Sequence, residues 1–287
     1  MADNVALSAA LRSNLLALQK TGGLLDRTNS RLSSGLKVAS AVDDAVAYFQ
    51  AKGLADRAGD ISTRKEGIDQ GISSVKAAVS GLESVEKILV QLKGVVLSAK
   101  SATNAERTDL KTQFNTLASQ LNNLANDTSY QGLNLINSTI AKLKIEFSEK
   151  SNSVLTIQGV NVQMSALNGL GATVASNVAT KLATQPWSAV SQSVSYFDLV
   201  LKGLDTAIAQ VRSNTKTLGT NVALLQTRLD FSKVYVTNLR EGSEKLTLAD
   251  LNEEGANLVS LQTRQQLGIQ ALSFAGQQEQ GVLSLFR

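Results

Sequence analysis

Apolar residues recur at alternating spacings of four and three along most of this 287-residue chain. Such spacing marks the seam of a coiled coil, where a stripe on one helix packs against a partner helix. The first seam comprises Leu11, Leu15, Leu18, Gly22, Leu25, Asn29, Leu32 and Leu36. A polar residue such as Asn29 in a seam usually costs stability and fixes register or partner number.

Four further stretches show the same helical spacing. The second seam comprises Ile68, Ile72, Val75, Val79, Leu82, Glu86, Leu89, Lys93 and Val96. The third comprises Leu110, Phe114, Leu117, Leu121 and Leu124. The fourth comprises Val194, Phe197, Leu201, Leu204, Ile208, Val211, Thr215, Leu218, Val222, Leu225 and Leu229. The last, more dilute seam comprises Leu251, Leu258, Leu261, Leu272, Ala275, Val282 and Phe286.

The segments between the seams have other patterns. Residues 101–109 predict a turn, with Thr108 or Asp109 capping the helix that follows. Residues 142–147 and 153–158 alternate apolar and polar side chains with a period of two, which predicts a β-hairpin. Residues 160–190 give no clear secondary structure, and we interpret them as a surface excursion.

The composition argues against an enzyme. The chain contains no cysteine and no histidine, which removes thiol nucleophiles, Cys/His zinc sites and histidine bases. The net charge of +4 is too small and too dispersed to indicate nucleic-acid binding. We therefore expect no catalytic residues, no cofactor, no bound metal and no nucleic acid. The N-terminus lacks the features of a Sec signal peptide, and no stretch is apolar enough to span a membrane.

The stretch from residue 31 to residue 49 raises a choice between a chemical site and a structural connection. Its single glycine does not make a phosphate loop. The adjacent carboxylates of Asp43 and Asp44 point in different directions on a helix or strand, so they suit helix capping better than metal binding or acid/base chemistry.

The two ends of the chain carry opposite charge. Residues 5–37 have a net charge of +4 and residues 246–286 a net charge of −3. Opposite charge favours pairing of these segments with each other or with copies of each other. We expect a mainly α fold: an elongated antiparallel coiled-coil bundle with a small β-hairpin and paired N- and C-termini. A contact repeated between copies would build an open helical filament unless the rotation closes a ring.

Four stretches carry a resemblance to a known family: RLSSGLKVASAVDDA, GIDQGISSVKAA, SYQGLNLI and the C-terminal segment that ends in VLSLFR. They resemble bacterial flagellin, and the similarity covers residues 1–136 and 195–287. The resemblance implies an inner coiled-coil domain of residues 1–42 and 246–287 and an outer helical domain of residues 43–136 and 191–245. Residues 137–190 would form the hairpin and a short variable surface segment, without a large outer domain.

The resemblance also implies a role and partners. The chain would be a structural subunit that polymerises with itself, and in some filaments with other flagellins, into the extracellular filament used for swimming. Export would proceed through the flagellar type III apparatus, with an export chaperone, a filament cap and hook-junction proteins as partners. Assembly contacts are then expected at Leu11, Leu15, Leu18, Leu25, Asn29, Leu32, Leu258, Leu261, Leu272, Val282, Leu285 and Phe286. A joint between the domains is expected at Ser33, Ser34, Gly35, Asp43 and Asp44.

One region departs from the family pattern. Many flagellins carry the motif Q-R-[VI]-R-E-L in the helix that corresponds to residues 90–95, and vertebrate Toll-like receptor 5 recognises that region. Here Gln91 and Lys93 replace the two arginines, and Gly94 replaces the acid. Lysine does not reproduce a bidentate arginine, and glycine removes the carboxylate. We therefore expect weak or no stimulation of the receptor.

Two alternatives remain open. A hook–filament junction, or hook-associated, protein would share the terminal helices with a filament subunit. A long-helix adaptor or tubular secretion component would account for the seams but not for the local motifs.

Overall fold

The computed structural model describes residues 9–149, 152–164, 166, 187 and 194–285. Within these residues the chain forms five helices and two strands. The elements are α1 (Ala9–Ser34), α2 (Ala45–Ser101), α3 (Asn104–Asp127), β1 (Lys142–Glu146), β2 (Val154–Gln158), α4 (Val194–Thr247) and α5 (Leu251–Leu285). This mainly helical architecture with a small antiparallel hairpin confirms the predicted fold class.

The chain divides into two compact units. The terminal unit comprises Met1–Ala58 and Thr237–Arg287, and the central unit comprises Gly59–Val236. The two boundaries between these units fall inside α2 and α4, so each of these helices contributes residues to both units. The predicted domain boundaries lie elsewhere, at residue 42 in the segment between α1 and α2 and at residue 246 in the last turn of α4, and they stay a prediction.

Helices α2, α3 and α4 supply most of the hydrophobic core of the central unit. Three ion pairs, Lys100–Asp198, Lys93–Asp205 and Glu86–Arg212, link α2 to α4 in antiparallel order. The buried face of α2 comprises Ile68, Ile72, Val75, Ala78, Leu82, Val85, Leu89, Leu92, Val96 and Ala99.

The predicted seam of α2 is wrong at two positions, Glu86 and Lys93. Val85 and Leu92 are buried in their place, while the two charged side chains reach α4 from the edge of the stripe. The reason is energetic, because burying an apolar neighbour is favourable and burying a charge carries a large desolvation cost.

The start of α3 also differs from the prediction. The helix begins at Asn104, so Thr108 and Asp109 lie inside it and do not cap it. The carboxylate of Glu106 instead accepts hydrogen bonds from the Thr103 N–H at 2.8 Å and the Thr103 hydroxyl at 2.9 Å. The bond from the Thr103 N–H to the Glu106 side chain is that of a capping box, and it satisfies a donor at the helix start.

The predicted hairpin is confirmed. Strands β1 and β2 are antiparallel, with Leu143 opposite Ile157 and Ile145 opposite Leu155. These four side chains point to one face because successive residues of a strand alternate. Ile145 packs against Gly71 of α2 so closely that a β-carbon at position 71 would overlap it.

Trp187 lies in the core of the central unit, which the sequence did not predict. Its side chain is 2% exposed. Its ring lies 5.8 Å from the rings of both Phe114 on α3 and Phe197 on α4. Most of residues 160–190, assigned above to a surface excursion, lies outside the described residues, but Trp187 itself belongs to the core.

Candidate assembly interface

Helices α1 and α5 pack against each other in antiparallel orientation. An Arg31 guanidinium nitrogen lies 2.8 Å from a carboxylate oxygen of Glu254, near one end of the pair. Leu18, 13 residues earlier on α1, contacts Gly268, 14 residues later on α5. The two contacts therefore belong to one register. The predicted pairing of the N- and C-terminal segments is confirmed within the chain.

The residues predicted for assembly differ in how far they are buried. Leu11 is buried in the pair. Six leucines are half-buried: Leu18, Leu25, Leu32, Leu258, Leu261 and Leu272. Leu15 and Asn29 are exposed. Val282 and Leu285 lie within α5, but their side chains are outside the described part of the structure, as is the whole of Phe286.

The exposed position of Asn29 is a correction to the predicted seam. Thr28, one residue earlier, is 6% exposed and lies on the buried face of α1. Threonine buries more apolar surface than asparagine and has only one hydroxyl to satisfy, so the helix turns Thr28 inward.

Two features of the pair were not predicted as individual residues. Glu254 is 7% exposed, although carboxylates are rarely buried without a partner. Arg31 supplies that partner, and the opposite net charges of the two ends of the chain were the signal that could have identified it. The close approach at Gly268 had no comparable signal, because a lone glycine in a helix has several interpretations.

The paired helices still expose large apolar side chains. Among the described side chains these are Leu15, Leu16 and Leu24 on α1, and Leu251, Val259, Leu267, Ile269 and Phe274 on α5. Single exposed apolar residues are ordinary, but several on each of two adjacent helices indicate a surface that contacts another molecule.

The joint predicted between the helical segments is held by backbone hydrogen bonds. The N–H groups of Lys37 and Val38 donate to the Thr247 carbonyl at 2.7 and 3.2 Å, and the Ala249 N–H donates to the Gly35 carbonyl at 3.0 Å. Gly35 has φ 71°, a left-handed conformation that favours glycine and ends α1. Ser34 Oγ accepts a hydrogen bond from the Leu36 N–H at 3.2 Å, whereas Ser33 is an exposed residue in the last turn of α1.

Asp43 and Asp44 have separate structural roles. Asp44 Oδ1 accepts a hydrogen bond from the Ala47 N–H at 3.0 Å, so Asp44 caps the start of α2 as predicted. Asp43 Oδ2 accepts from the hydroxyl and N–H of Ser40, each at 3.0 Å, and from the Ala39 N–H at 3.2 Å. These hydrogen bonds, that of the Ser40 hydroxyl foremost, hold the pKa of Asp43 below its usual value.

Comparisons with known proteins point to one family along most of the chain. The profile described as "Bacterial flagellin N-terminal helical region" matches residues 4–141, and "Bacterial flagellin C-terminal helical region" matches residues 201–286. Flagellin FljM of Caulobacter vibrioides is 31% identical over 95% of this chain and 96% of its own length. The chain belongs to the bacterial flagellin family. As a flagellin, it is a structural subunit of the flagellar filament, an extracellular assembly.

Two further comparisons concern a second flagellin and a protein of similar fold. A flagellin of Brucella melitensis is 26% identical over the full length of both chains. A solved chain from Vibrio parahaemolyticus, described as a flagellar hook-associated protein, has a TM-score of 0.60 and 15% identity. It covers 72% of this chain and 100% of its own, a likeness that concerns the fold.

The region of the flagellin that departs from the receptor motif lies on α2. Gln91 and Gly94 are exposed, and a β-carbon at Gly94 would meet open space. Lys93 is half-buried, and its ammonium group pairs with Asp205 of α4. The side chain that occupies the second arginine position is thus turned toward its own chain.

Within the described residues of the flagellin, no three carboxylate side chains form a group that could hold a metal ion. None of the described helices is both long and apolar enough to cross a membrane.

Proposed function

We propose that this flagellin polymerises through the α1–α5 pair, which would form the inner layer of the filament. The observation that carries the proposal is the set of apolar side chains that remain exposed after the two helices have packed together. A helix pair that retains exposed apolar surface gains stability when copies bury it. A contact repeated head to tail from copy to copy generates a helical filament when the rotation does not close a ring.

The arrangement of the remaining chain follows from this proposal. Residues 1–42 and 246–287 would form the inner domain, and residues 43–136 and 191–245 the outer helical domain. Residues 137–190 would contribute the hairpin and a short surface segment. The residues of the joint, Ser33 to Asp44, would connect the two layers.

Other partners are proposed from family membership. The subunit would be secreted through the flagellar export apparatus with the help of an export chaperone. It would meet the hook-junction proteins at the base of the filament and the cap at its tip, and it could share a filament with other flagellins. The chain is proposed to act without catalysis, because its family is structural.

A hook-associated role is the second candidate. It is favoured by the fold similarity to the Vibrio parahaemolyticus chain. The filament role is preferred because the chain is 31% identical to FljM over nearly the whole of both proteins. A long-helix adaptor or tubular secretion component is not expected to be this similar to a flagellin.

Seeded polymerisation of the purified protein, observed by negative-stain electron microscopy, tests the assembly proposal. Full-length protein should extend filament seeds, whereas chains lacking residues 1–34 or 251–287 should not. Extension by the truncated chains would contradict the proposal. Failure of the full-length chain on authentic filament seeds would favour the hook-associated role.

Substitutions on the exposed faces give a finer test. Ile269→Ser and Phe274→Ser remove apolar surface from α5 without touching its buried stripe, so they should raise the critical concentration for polymerisation. Ile140→Ser, at a highly exposed position in the loop before β1, is the matched control and should polymerise as the parent does.

Weak or absent recognition by Toll-like receptor 5 is a separate proposal. Nanomolar parent protein should give little signal in receptor reporter cells, because Gln91, Lys93 and Gly94 lack the motif's two arginines and acid. The variant Gln91→Arg/Lys93→Arg/Gly94→Glu should raise the signal. Strong signalling by the parent protein would contradict the proposal.

A further inference from the structure

The apolar pattern of α5 selects which face packs against α1 but does not by itself select a register. The buried or half-buried positions of α5 repeat at heptad spacing, as they do in a coiled coil. Apart from Gly255 and Gly276, those described are Glu254, Leu258, Leu261, Gln265, Gly268, Leu272 and Ala275. A shift by one heptad, about 10 Å along the axis at about 1.5 Å per residue, would still place this stripe against the leucines of α1.

Glu254 distinguishes between these registers. Its carboxylate is buried and lies 2.8 Å from the Arg31 guanidinium. Counting seven residues back from Arg31 leads to Leu24 of α1, which carries no charge, and counting seven residues forward passes the end of the helix at Ser34. A shift in one direction would therefore place Glu254 opposite an apolar side chain, and a shift in the other would place it beyond the last residue of α1. In both cases it would lose its cation, and an unpaired buried charge is strongly unfavourable.

The contact between Leu18 and Gly268 depends on the correct register. A β-carbon at position 268 would lie 2.8 Å from Leu18 Cδ1, so the leucine occupies space that only glycine leaves open. One heptad further along α5 the facing residue is Ala275, and one heptad earlier it is Leu261. Both carry the β-carbon that Gly268 lacks.

We propose that the Arg31–Glu254 ion pair fixes the register of the α1–α5 pair and so determines which surface the pair presents for assembly. The inference rests on the proposed role of this pair in polymerisation. According to this inference, two charged residues distinguish between registers that the leucine stripe alone does not distinguish. The closest precedent in physical terms is the buried polar residue that sets register in a coiled coil.

Disulfide trapping in the full-length protein tests this proposal cleanly, because the natural chain has no cysteine. Leu18→Cys/Gly268→Cys reports the observed register, and Leu18→Cys/Ala275→Cys reports a shift of one heptad. With Arg31 and Glu254 intact, only the first pair should cross-link efficiently. In the Arg31→Met/Glu254→Leu background, which removes both charges and leaves neither unpaired, the ratio of shifted to observed cross-link should rise about tenfold, corresponding to about 1.4 kcal/mol.

Two further variants separate register from simple stabilisation. The charge swap Arg31→Glu/Glu254→Arg should restore the parental cross-linking ratio, whereas Arg31→Met alone should weaken helix pairing because Glu254 is left without a cation. Lys52→Met/Asp56→Leu, at an exposed ion pair within α2, should leave the ratio unchanged. A parental ratio in the Arg31→Met/Glu254→Leu background would overturn the proposal and assign register to the backbone hydrogen bonds of the joint.

The cross-links are measured in soluble protein and again after polymerisation. A changed ratio in soluble protein supports the register inference whether or not the protein polymerises. Failure of the protein to polymerise would count against the assembly proposal alone. If the charge-free variant fails to fold by circular dichroism, Glu254→Gln decides, because it removes the charge of the buried side chain while keeping its size. A raised ratio of shifted to observed cross-link there supports the inference, and a parental ratio overturns it.

Discussion

Ser74 lies on the buried face of α2, and its hydroxyl has no hydrogen-bond partner within the described part of the structure. Ser74→Ala removes this enclosed hydroxyl while preserving the packing, so stability should be unchanged or raised by up to about 1 kcal/mol. Ser243→Ala is the matched control, because the Ser243 hydroxyl donates to the Ala51 carbonyl at 2.9 Å. The control should lose about 1 kcal/mol in urea unfolding, and an equal loss in Ser74→Ala would contradict the prediction.

Asp43 makes the joint sensitive to acid. The hydrogen bonds from Ser40 and Ala39 favour the carboxylate and hold the pKa of Asp43 below its ordinary value of 3.8. The stabilisation is therefore complete above the unfolded-state pKa and is lost as the pH falls through the lower folded-state pKa. Amide NMR shifts of Ala39 and Ser40 should titrate with a midpoint below 3.8. Asp43→Asn should abolish the titration, and a midpoint at or above the ordinary value would contradict this account.

At the scale of helices and strands, much of the architecture could be predicted from the sequence. Periodicity predicted the buried stripes of α3 and α4 and both strands of the hairpin, since those residues alternate or recur regularly. It failed at Glu86 and Lys93, because heptad counting does not distinguish an edge position from a buried one. The deciding information was the identity of the neighbours, Val85 and Leu92, and of the charged partners on α4.

Contacts between distant parts of the chain were harder to predict from the sequence. The opposite charges of the two ends predicted pairing, but the specific pair of Arg31 with Glu254 depends on a register that composition does not contain. Thr28 replaced Asn29 on the buried face because helix rotation is set by the partner helix. The environment of Trp187 was unpredictable since its neighbours, Phe114 and Phe197, lie on two other elements.

Two glycines of α2 should respond oppositely to the same substitution. A β-carbon at Gly81 would lie 2.5 Å from Thr128 Cγ2 and 2.9 Å from Ile136 Cδ1, so Gly81→Ala should destabilise the protein by about 1–3 kcal/mol. A β-carbon at Gly94 would meet open space, so Gly94→Ala should stabilise α2 by about 0.5–1 kcal/mol. Thermal unfolding followed by circular dichroism measures both, and changes of the same sign would contradict this account of packing on α2.

At the scale of the whole molecule, the central unit has a core of its own. Its buried cluster runs from Ile68 to Leu229 and includes Trp187, and among the described side chains it takes none from α1 or α5. The surfaces exposed on the α1–α5 pair are therefore separate from the residues that hold the central unit together. Loss of polymerisation need not be accompanied by loss of the folded core.

A chain that lacks both residues 1–34 and residues 251–287 should consequently fail to polymerise but retain the fold around Trp187. The tryptophan is the only one in the chain and is 2% exposed, so its emission reports this core specifically. The truncated chain should keep blue-shifted emission, protection from acrylamide and a urea midpoint close to that of the full-length protein. Phe114→Ala in the full-length chain is the control, because it removes a ring beside Trp187 and should lower the midpoint while leaving the terminal helices intact. Red-shifted emission from the truncated chain would mean that the terminal helices stabilise the central unit, and the assembly defect of the truncations would then reflect unfolding.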